Sequence, residues 1–389
     1  MIVPFRPPLS ALLSAIALAG AADGFAAEKA AQPGLVAGPG ATVLREGRPY
    51  CGVGVNYFDC FLRTLRDGSD ASYDDGFRVL AEHGIPFARF SAVGFWPREM
   101  KLYVDDREEY FRRLDGVVRS AERHDVGLIP SLFWHYACAP DLVGEPMDQW
   151  GNPESETHAF MRRYVGDVVG RYKDSEAIWA WELGNEFNLA CDLPNATEHR
   201  PRIVPQLGTA LERTGRDELT HAMLVAALRA FGREVRRHDP HRLITSGNSM
   251  PRPSAWHNRE ERTWTKDGPE QFAEMLALTA PDPVSLVSVH CYGENIARLS
   301  QAAAVCVELN RPLFVGEFQV EDSAKPGARE AFESFLASLC EHRVPLAAVW
   351  VFDFDRQEDE FNISATNDRA WQLEMLGRWN RTLQTSKRP

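Results

Sequence analysis

The sequence predicts a single (β/α)8 barrel, the TIM-barrel form of the α/β class, in which parallel strands alternate with helices. Short apolar runs recur eight times along the chain, and amphipathic segments separate them. The runs are continuously apolar, which is typical of strands buried on both faces of a parallel sheet. Eight alternations over about 340 residues favour a closed barrel over an open doubly wound sheet. No GxGxxG motif follows any run, which weakens a dinucleotide-binding alternative.

The predicted elements follow one another in strict alternation. The strands are expected at residues 51–57, 85–90, 127–134, 178–183, 243–246, 284–290, 313–316 and 346–352. The helices are expected at residues 73–83, 108–124, 156–172, 218–238, 269–279, 295–309, 328–342 and 369–382. The segment 108–124 shows the helical spacing most clearly, because its apolar residues recur on one side with Arg or Glu between them.

The N-terminal region carries a different pattern. Residues 1–27 have one positive charge followed by an apolar Ala/Leu-rich run and small residues, which predicts a secretory signal peptide cleaved between about residues 21 and 27. An uncleaved anchor is the alternative. Residues 28–45 are expected to form a linker, and residues 46–385 the barrel domain. We therefore expect a secreted or periplasmic protein without stable membrane association after cleavage.

Composition and charge exclude several classes of partner. The chain has 389 residues, of which 44% are hydrophobic and 25% charged, and its net charge is −12. Such an acidic chain is a poor candidate for binding nucleic acid or an anionic membrane. A neutral polysaccharide is compatible with this charge, and we expect a monomer.

The seven cysteines form no CxxC pair and no Cys/His zinc spacing. Export permits disulfides, and the odd count leaves at least one thiol outside any intramolecular bridge. Cys138 and Cys191 each lie just past a predicted strand in neighbouring loops, so a bridge between them is one expectation. Free buried thiols are the other.

The ends of the predicted strands carry polar and aromatic residues. In a (β/α)8 barrel the active site lies at the C-terminal ends of the strands. Those ends carry Arg89, Trp134, His135, Asn185, Glu186, His290, Tyr292, Glu317 and Trp350. Two carboxylates that meet at one barrel mouth are the minimal equipment for cleaving a glycosidic bond.

This ordered set resembles that of glycoside hydrolase family 5, the cellulases and mannanases of the retaining (β/α)8 glycosidase clan. The family places an Arg on strand two, a His on strand three, Asn-Glu at the end of strand four, His-x-Tyr on strand six, a Glu on strand seven and a Trp on strand eight. This chain matches with Arg89, His135, Asn185, Glu186, His290, Tyr292, Glu317 and Trp350. The resemblance covers roughly residues 50–382. One departure is Phe187, where family members often carry Pro.

The resemblance implies a retaining O-glycosyl hydrolase that cleaves β-linked glucan or mannan through a covalent intermediate, without a cofactor. By resemblance, Glu186 is the acid/base and Glu317 the nucleophile. Arg89 and Tyr292 would keep Glu317 ionised, whereas Glu186 would lie in a drier place with a raised pKa. The remaining site residues would bind or orient the sugar: His135, Asn185, His290, Trp96, Trp134 and Trp350.

Several alternatives remain open at this point. Glu182 precedes Glu186 by four residues on the same strand and could compete as the acid, although we expect it to lie deeper and to be a hydrogen-bonded interior carboxylate. An exo-acting β-glycosidase, a non-catalytic carbohydrate-binding barrel and a metal-dependent hydrolase are the other candidates. We expect no metal, because the sequence shows neither a His-x-His pair nor a carboxylate cluster.

Overall fold

The computed structural model describes residues 33–320 and 325–385, and these residues contain a closed parallel barrel. The strands of the chain are β1 (Leu35–Gly38), β2 (Thr42–Arg45), β3 (Arg48–Tyr50), β4 (Gly52–Asn56), β5 (Phe87–Ser91), β6 (Gly127–Phe133), β7 (Ala180–Gly184), β8 (Leu243–Thr245), β9 (Val287–Cys291), β10 (Leu313–Phe318) and β11 (Leu346–Val349). The barrel sheet has the order β8-β7-β6-β5-β4-β11-β10-β9. A parallel bridge between Thr245 and Leu286 joins its two edges. The predicted (β/α)8 fold is confirmed.

The helices are α1 (Cys60–Arg66), α2 (Ser72–Glu82), α3 (Pro97–Asp105), α4 (Arg107–Arg123), α5 (Cys138–Val143), α6 (Glu156–Tyr172), α7 (His221–His238), α8 (Ala255–Glu261), α9 (Pro269–Leu278), α10 (Leu299–Glu308), α11 (Ala328–Glu341) and α12 (Ala370–Thr385). Each helix predicted from the sequence is present. The structure adds α1, α3, α5 and α8, which lie in the connections that follow β4, β5, β6 and β8. These connections build the rim around the C-terminal mouth of the barrel.

The N-terminal segment closes the opposite end of the barrel. The strands β1, β2 and β3 form an antiparallel sheet, and the amide of Leu35 donates to the carbonyl of Trp179 at 2.9 Å. Leu35 and Val43 are fully buried in one apolar cluster with Phe87 and other residues of the barrel interior. The linker expected over residues 28–45 is therefore wrong for 35–45. Its small residues suggested a flexible spacer, but two buried apolar side chains suffice to anchor it.

The barrel interior has an apolar layer below and a polar layer above. Inward side chains alternate along each strand, so that Phe87 and Arg89 on β5 belong to successive layers. The lower layer joins the apolar cluster and contains Phe87, Ile129, Leu243, Leu286, Phe314 and Leu346. Arg89, Glu182 and His290 lie one step nearer the C-terminal ends of their strands and are fully buried. The charged groups are thus concentrated beneath the mouth.

The expected bridge between Cys138 and Cys191 is not formed. Both thiols are free and buried. The Cys138 Sγ donates to the carbonyl of Gly94 and the Cys191 Sγ to that of Phe187, each at 3.3 Å. Each thiol therefore donates to a backbone carbonyl of the rim, and the two do not bond to each other.

The signal peptide predicted over residues 1–27 lies outside the described residues. Among the helices of the described part of the chain, none has the length and apolar character needed to cross a membrane.

Candidate active site

Two carboxylates meet at the C-terminal mouth, one from β10 and one from the turn after β7. One oxygen each of Glu186 and Glu317 and one ring nitrogen of His290 lie within 4.8 Å of one another. Retaining glycosidases hold their carboxyl groups about 5–5.5 Å apart, whereas inverting enzymes leave about 6.5–9.5 Å for a water molecule. The spacing in this site therefore suits direct attack by a carboxylate.

A β-bulge directs Glu317 into the barrel. Phe314 faces the interior, so regular alternation would turn Gly316 inward and Glu317 outward. The register of β10 against β9 shifts between Val315 and Glu317, and this extra residue brings Glu317 opposite His290. A larger residue at Gly316 would be crowded, because a Cβ atom would lie 3.0 Å from His290 Nε2. Bulges of this kind re-aim side chains next to active sites.

Both oxygens of Glu317 are held by hydrogen bonds. Arg89 Nη1 donates to Oε1 and the Tyr292 hydroxyl donates to Oε2, each at 2.8 Å. The side chain is only 6% exposed. Burial raises the pKa of Glu317 above its ordinary value, while His290, Arg89 and the Tyr292 hydrogen bond act against this rise. The carboxylate is consequently fixed in place with one face toward the cavity.

Arg89 organises the polar layer through every nitrogen of its guanidinium. Its Nε donates to both oxygens of Glu182 at 2.9 and 3.0 Å, and its Nη1 also reaches Asn56 Oδ1 at 2.9 Å. Its Nη2 donates to Asn185 Oδ1 at 2.8 Å, and the guanidinium lies 4.4 Å from the centre of the Trp134 ring. Glu182 is fully buried behind Arg89. It therefore lies too deep to protonate a substrate, as expected from its position on the strand.

Glu186 occupies a turn that tertiary contacts must hold. Its backbone has φ 54° and ψ 28°, a left-handed conformation that is unusual for a residue with a side chain. Its amide donates to the carbonyl of Gly247 at 2.9 Å, and its Oε1 lies 2.8 Å from His290 Nδ1. The turn places the carboxyl group at the opening, where the side chain is 31% exposed.

The environments of the two carboxylates differ from the expectation. Burial acts to raise the pKa of Glu186, but the hydrogen bond from His290, with smaller contributions from Ser249 and Arg89, outweighs burial and lowers it. Glu317 is the drier group, with its pKa raised. The expectation that Glu186 would lie in the drier place was wrong for the unliganded site. The left-handed turn explains the difference, because it places the Glu186 side chain nearer to solvent.

The two histidines have different surroundings. His290 is fully buried, and its Nε2 has no hydrogen-bond partner among the described protein atoms. We therefore assign the proton to Nδ1, which faces Glu186. His135 stacks on Phe95 with ring centroids 4.8 Å apart, and burial lowers its pKa to about 4. His135 is neutral at neutral pH and can offer the cavity an uncharged hydrogen-bonding ring.

Aromatic rings enclose the larger cavity, which has a volume of about 700 Å³ and contains both carboxylates. Its apolar lining consists of Phe58, Phe95, Trp96, Trp134, Trp350, Phe354 and Phe361. Trp350 is oriented by its Nε1, which donates to Gln357 Oε1 at 2.8 Å. Stacked and tilted aromatic faces suit the apolar faces of sugar rings. Trp96, Trp134 and Trp350, predicted as near-site residues, all line the cavity.

A second, smaller cavity of about 290 Å³ lies beside Glu186. It shares Phe95, Trp134, Asn185 and Glu186 with the larger cavity. The residues that belong to it alone are His135, Tyr136, Leu189, Ala190, Leu193, His199 and Arg252. The cavity that contains Glu317 and the cavity that contains Arg252 thus meet at Glu186.

Some residues that line the site or hold its side chains were not predicted from the sequence. Asn56 could have been found, because it ends the first barrel strand as the other site residues end theirs. Gln319 carries the same signal, because it directly follows the end of β10. Arg66, Arg252, Arg356 and Gln357 carry no such signal, because they stand outside the strand-end motifs. Only the tertiary structure brings them to the mouth.

The group of Glu186, His290 and Glu317 has the composition of a small metal site. The sequence had shown no such cluster, and the structure corrects that point. The donor atoms already have partners, since Arg89 and Tyr292 bind the oxygens of Glu317 and His290 binds Glu186. The fixed positive charge of Arg89 at 2.8 Å from Glu317 also opposes a divalent cation. The chemistry of the set therefore fits carboxylate catalysis better than metal binding.

A closed (β/α)8 barrel with two facing carboxylates and an aromatic-lined cleft at its mouth has the arrangement of a barrel glycoside hydrolase. The family model described as Cellulase (glycosyl hydrolase family 5) matches residues 61–353. The chain belongs to this family.

Similar proteins point in the same direction. The chain is 34% identical over 130 residues to a probable mannan endo-1,4-β-mannosidase A from Aspergillus flavus, over 28% of this chain and 33% of that protein. It is 28% identical over 153 residues to mannan endo-1,4-β-mannosidase A from Hypocrea jecorina, over 34% of each chain. The matched segments thus span about a third of these relatives.

Solved structures share the fold. The endo-1,4-β-mannanase from Rhizomucor miehei superposes with a TM-score of 0.65 at 17% identity, over 91% of this chain and all of the other. A GH5_18 protein from Streptomyces cattleya, solved in complex with GlcNAc, has a TM-score of 0.61 at 16% identity, over 87% of this chain and 82% of that protein. At these identities the likeness shows the barrel alone.

Proposed function

We propose that this protein is a retaining endo-β-1,4-mannanase that works by double displacement. The observation that carries the reaction type is the position of Glu317, held by Arg89 and Tyr292 and facing Glu186 across the mouth. The names of the similar fungal proteins support mannan as the substrate. β-Glucan is the second candidate of the same reaction type.

In the first step, an oxygen of Glu317 attacks the anomeric carbon while Glu186 gives its proton to the departing oxygen. Arg89 occupies the Oδ1 of Asn185, which leaves the Asn185 amide nitrogen to donate to the sugar 2-hydroxyl. The Trp350 ring supplies an apolar face to the sugar. The bond to the departing sugar breaks as the bond to Glu317 forms, and the product is a covalent glycosyl-enzyme.

In the second step, Glu186 takes a proton from water, which attacks the same carbon and releases Glu317. Forming the ester neutralises Glu317, so the negative charge beside Glu186 disappears after the first step. The loss of this charge lowers the pKa of Glu186, so that Glu186 is ionised and can act as the base. When Glu317 is released and its charge returns, the pKa of Glu186 rises again, and Glu186 can act as the acid.

Sugar binding prepares the acid. A sugar in the cleft covers the exposed part of Glu186. Glu317 is already buried, so the exposure of its carboxyl group changes less on binding. Removing water from a carboxyl group raises its pKa. Binding should therefore raise the pKa of Glu186 and move the proton to the group that must donate it.

We expect this change to appear in pH profiles measured with an unactivated manno-oligosaccharide. The profile of kcat/KM reports the free enzyme and that of kcat reports the complex. Because binding should raise the pKa of Glu186, the alkaline limb of kcat should lie at higher pH than that of kcat/KM. Coincident limbs, or limbs in the reverse order, would contradict this account of the acid.

The two cavities that meet at Glu186 favour internal cleavage of a chain over removal of terminal sugars. A chain can extend from the bond to be cut in both directions, into the larger cavity and the smaller one. An exo-acting enzyme would release one small product from a β-linked oligosaccharide ladder. We expect a mixture of product lengths.

The proposal is tested by incubating the purified protein with mannan, β-glucan, xylan and mixed-linkage glucan. We expect the highest kcat/KM on β-mannan, survival of activity after exhaustive chelation, and a first-formed product in the β configuration by NMR. Release of the α anomer would rule out double displacement. Cleavage of glucan without mannan would change the substrate and leave the reaction type in place.

The N-terminal segment and the oligomeric state determine where and in what form the enzyme acts. We propose that residues 1–27 direct export, so that the enzyme acts on polysaccharide outside the cytoplasm as a monomer. The sequence pattern of that segment and the extracellular location of polysaccharide support this. Fractionation of cells that express the full chain, followed by light scattering of the product, tests both points.

A further inference from the structure

The smaller cavity is the place where the departing half of the substrate must lie, if the proposed function holds. In a retaining glycosidase the acid stands at the bond being broken, between the sugar above the nucleophile and the leaving group. Glu317 lines only the larger cavity, and Glu186 lines both. The cavity without the nucleophile therefore takes the leaving-group sugar.

Apart from the carboxylate of Glu186, the described wall of this smaller cavity contains one guanidinium, that of Arg252. It lies in the connection after β8, and its Nε donates to the carbonyl of Leu189 at 2.9 Å. Leu189 belongs to the 3-10 helix Phe187–Ala190, which begins immediately after Glu186. The guanidinium is thereby fixed to the same segment that carries the acid.

The guanidinium is only partly compensated. Arg252 is partly buried, and it forms no ion pair with a carboxylate of the described residues. Its two Nη groups donate to no described protein atom. Burial lowers the pKa of Arg252, and Glu186 is the group that acts in the opposite direction. Partial burial removes water from the guanidinium, and the four N–H donors of its two Nη groups remain free of protein partners among the described residues.

We propose that Arg252 is a specificity-determining residue of the leaving-group subsite, where its two Nη groups donate to adjacent hydroxyl oxygens of the departing sugar. A guanidinium presents its donors in a planar fork that matches two neighbouring oxygens. The leaving sugar is thereby held against Glu186 during proton transfer. This inference rests on the proposed function and adds to it the residue that recognises the departing half of the polysaccharide.

The alternative is a purely structural role, in which Arg252 only ties Leu189 to the neighbouring connection. The two roles differ in their dependence on the leaving group. A structural role would misplace Glu186 and so slow every substrate that needs its proton, whether or not the leaving group is a sugar. A binding role affects only substrates whose leaving group is a sugar.

The test compares β-mannopentaose with methyl β-mannobioside in Arg252→Gln and Arg252→Lys. The methanol that leaves from the methyl glycoside needs a proton from Glu186 as a sugar does, but it carries no neighbouring hydroxyls for Arg252 to bind. The value of kcat/KM depends only on substrate binding and the first chemical step, so hydrolysis of the glycosyl-enzyme does not affect the comparison. For Arg252→Gln we expect the ratio of kcat/KM for the pentaose to that for the methyl glycoside to fall about 10- to 100-fold, as for loss of hydrogen bonds to a charged donor. Arg252→Lys keeps the charge without the planar fork and should give a smaller fall.

The matched control is Arg259→Gln. Arg259 lies in α8 on the same connection, contacts Glu260 and Glu274 at 3.2 Å, and lines neither cavity. Its ratio should equal that of the wild type. An equal loss on both substrates in Arg252→Gln would overturn the inference and leave the proposed function standing. A wild-type protein that cleaves neither substrate would overturn both.

Discussion

Replacing Glu317 with Gln should lower kcat on β-mannan by about 10⁴- to 10⁶-fold, the range found when the nucleophile of a covalent mechanism is removed. The amide keeps the size of the side chain and can still accept from Arg89, but it cannot form the ester with the anomeric carbon. The loss should persist with β-mannobiosyl fluoride, because a good leaving group does not replace a nucleophile. Steady-state rates on both substrates measure this.

Glu186→Gln is the matched comparison for Glu317→Gln. It removes the acid, which oligosaccharides need and the fluoride does not. Its kcat/KM should therefore fall strongly on β-mannopentaose and little on the fluoride. If Glu317→Gln retained the fluoride reaction while Glu186→Gln lost it, the assignment of the two carboxylates would be reversed.

Replacing Arg89 with Met should destabilise the fold by about 3–5 kcal/mol, as expected when one partner of a buried ion network is removed. Arg89 is fully buried and bonds to both Glu182 and Glu317, so its loss leaves two buried carboxylates without their cation. The free energy of unfolding from urea titrations at pH 7 measures this. The loss should be smaller at pH 4, where protonation can neutralise carboxyl groups that have lost their cation.

Arg78→Met provides the control for Arg89→Met. Arg78 pairs with Asp75 and Glu82 on the surface of α2, where solvent screens the charges. It should leave the unfolding curve unchanged. Equal unfolding curves for the two variants would show that the polar layer does not depend on Arg89.

The sequence was sufficient to predict the barrel, because each strand and helix carries its own local pattern and the repeat of eight identifies the closure. It also predicted which side chains meet at the mouth, because the ends of parallel strands lie together there whatever the details of packing. Arg89 shows the strength of this argument. Its place on the second barrel strand, read with the resemblance to family 5, led us to expect an interaction with Glu317, and the two side chains form a hydrogen bond of 2.8 Å.

What could not be predicted depends on contacts between distant segments. The β-bulge at Gly316 and the left-handed turn at Glu186 decide which carboxylate is drier, and neither follows from local propensity. Leu35 and Val43 gave too few apolar positions to distinguish a packed sheet from a linker. Arg252 reaches the cavity only because the connections after β7 and β8 pack together.

The most direct measurement of the central claim is covalent trapping with 2-deoxy-2-fluoro-β-mannosyl fluoride, followed by mass spectrometry of a proteolytic digest. Fluorine at carbon 2 destabilises the oxocarbenium-like transition states of both steps, while the fluoride leaving group keeps the first step fast enough for the ester to accumulate. The account predicts stoichiometric inactivation with one added fluoromannosyl group on the peptide that contains Glu317. A label on Glu186, or turnover without any covalent adduct, would contradict it.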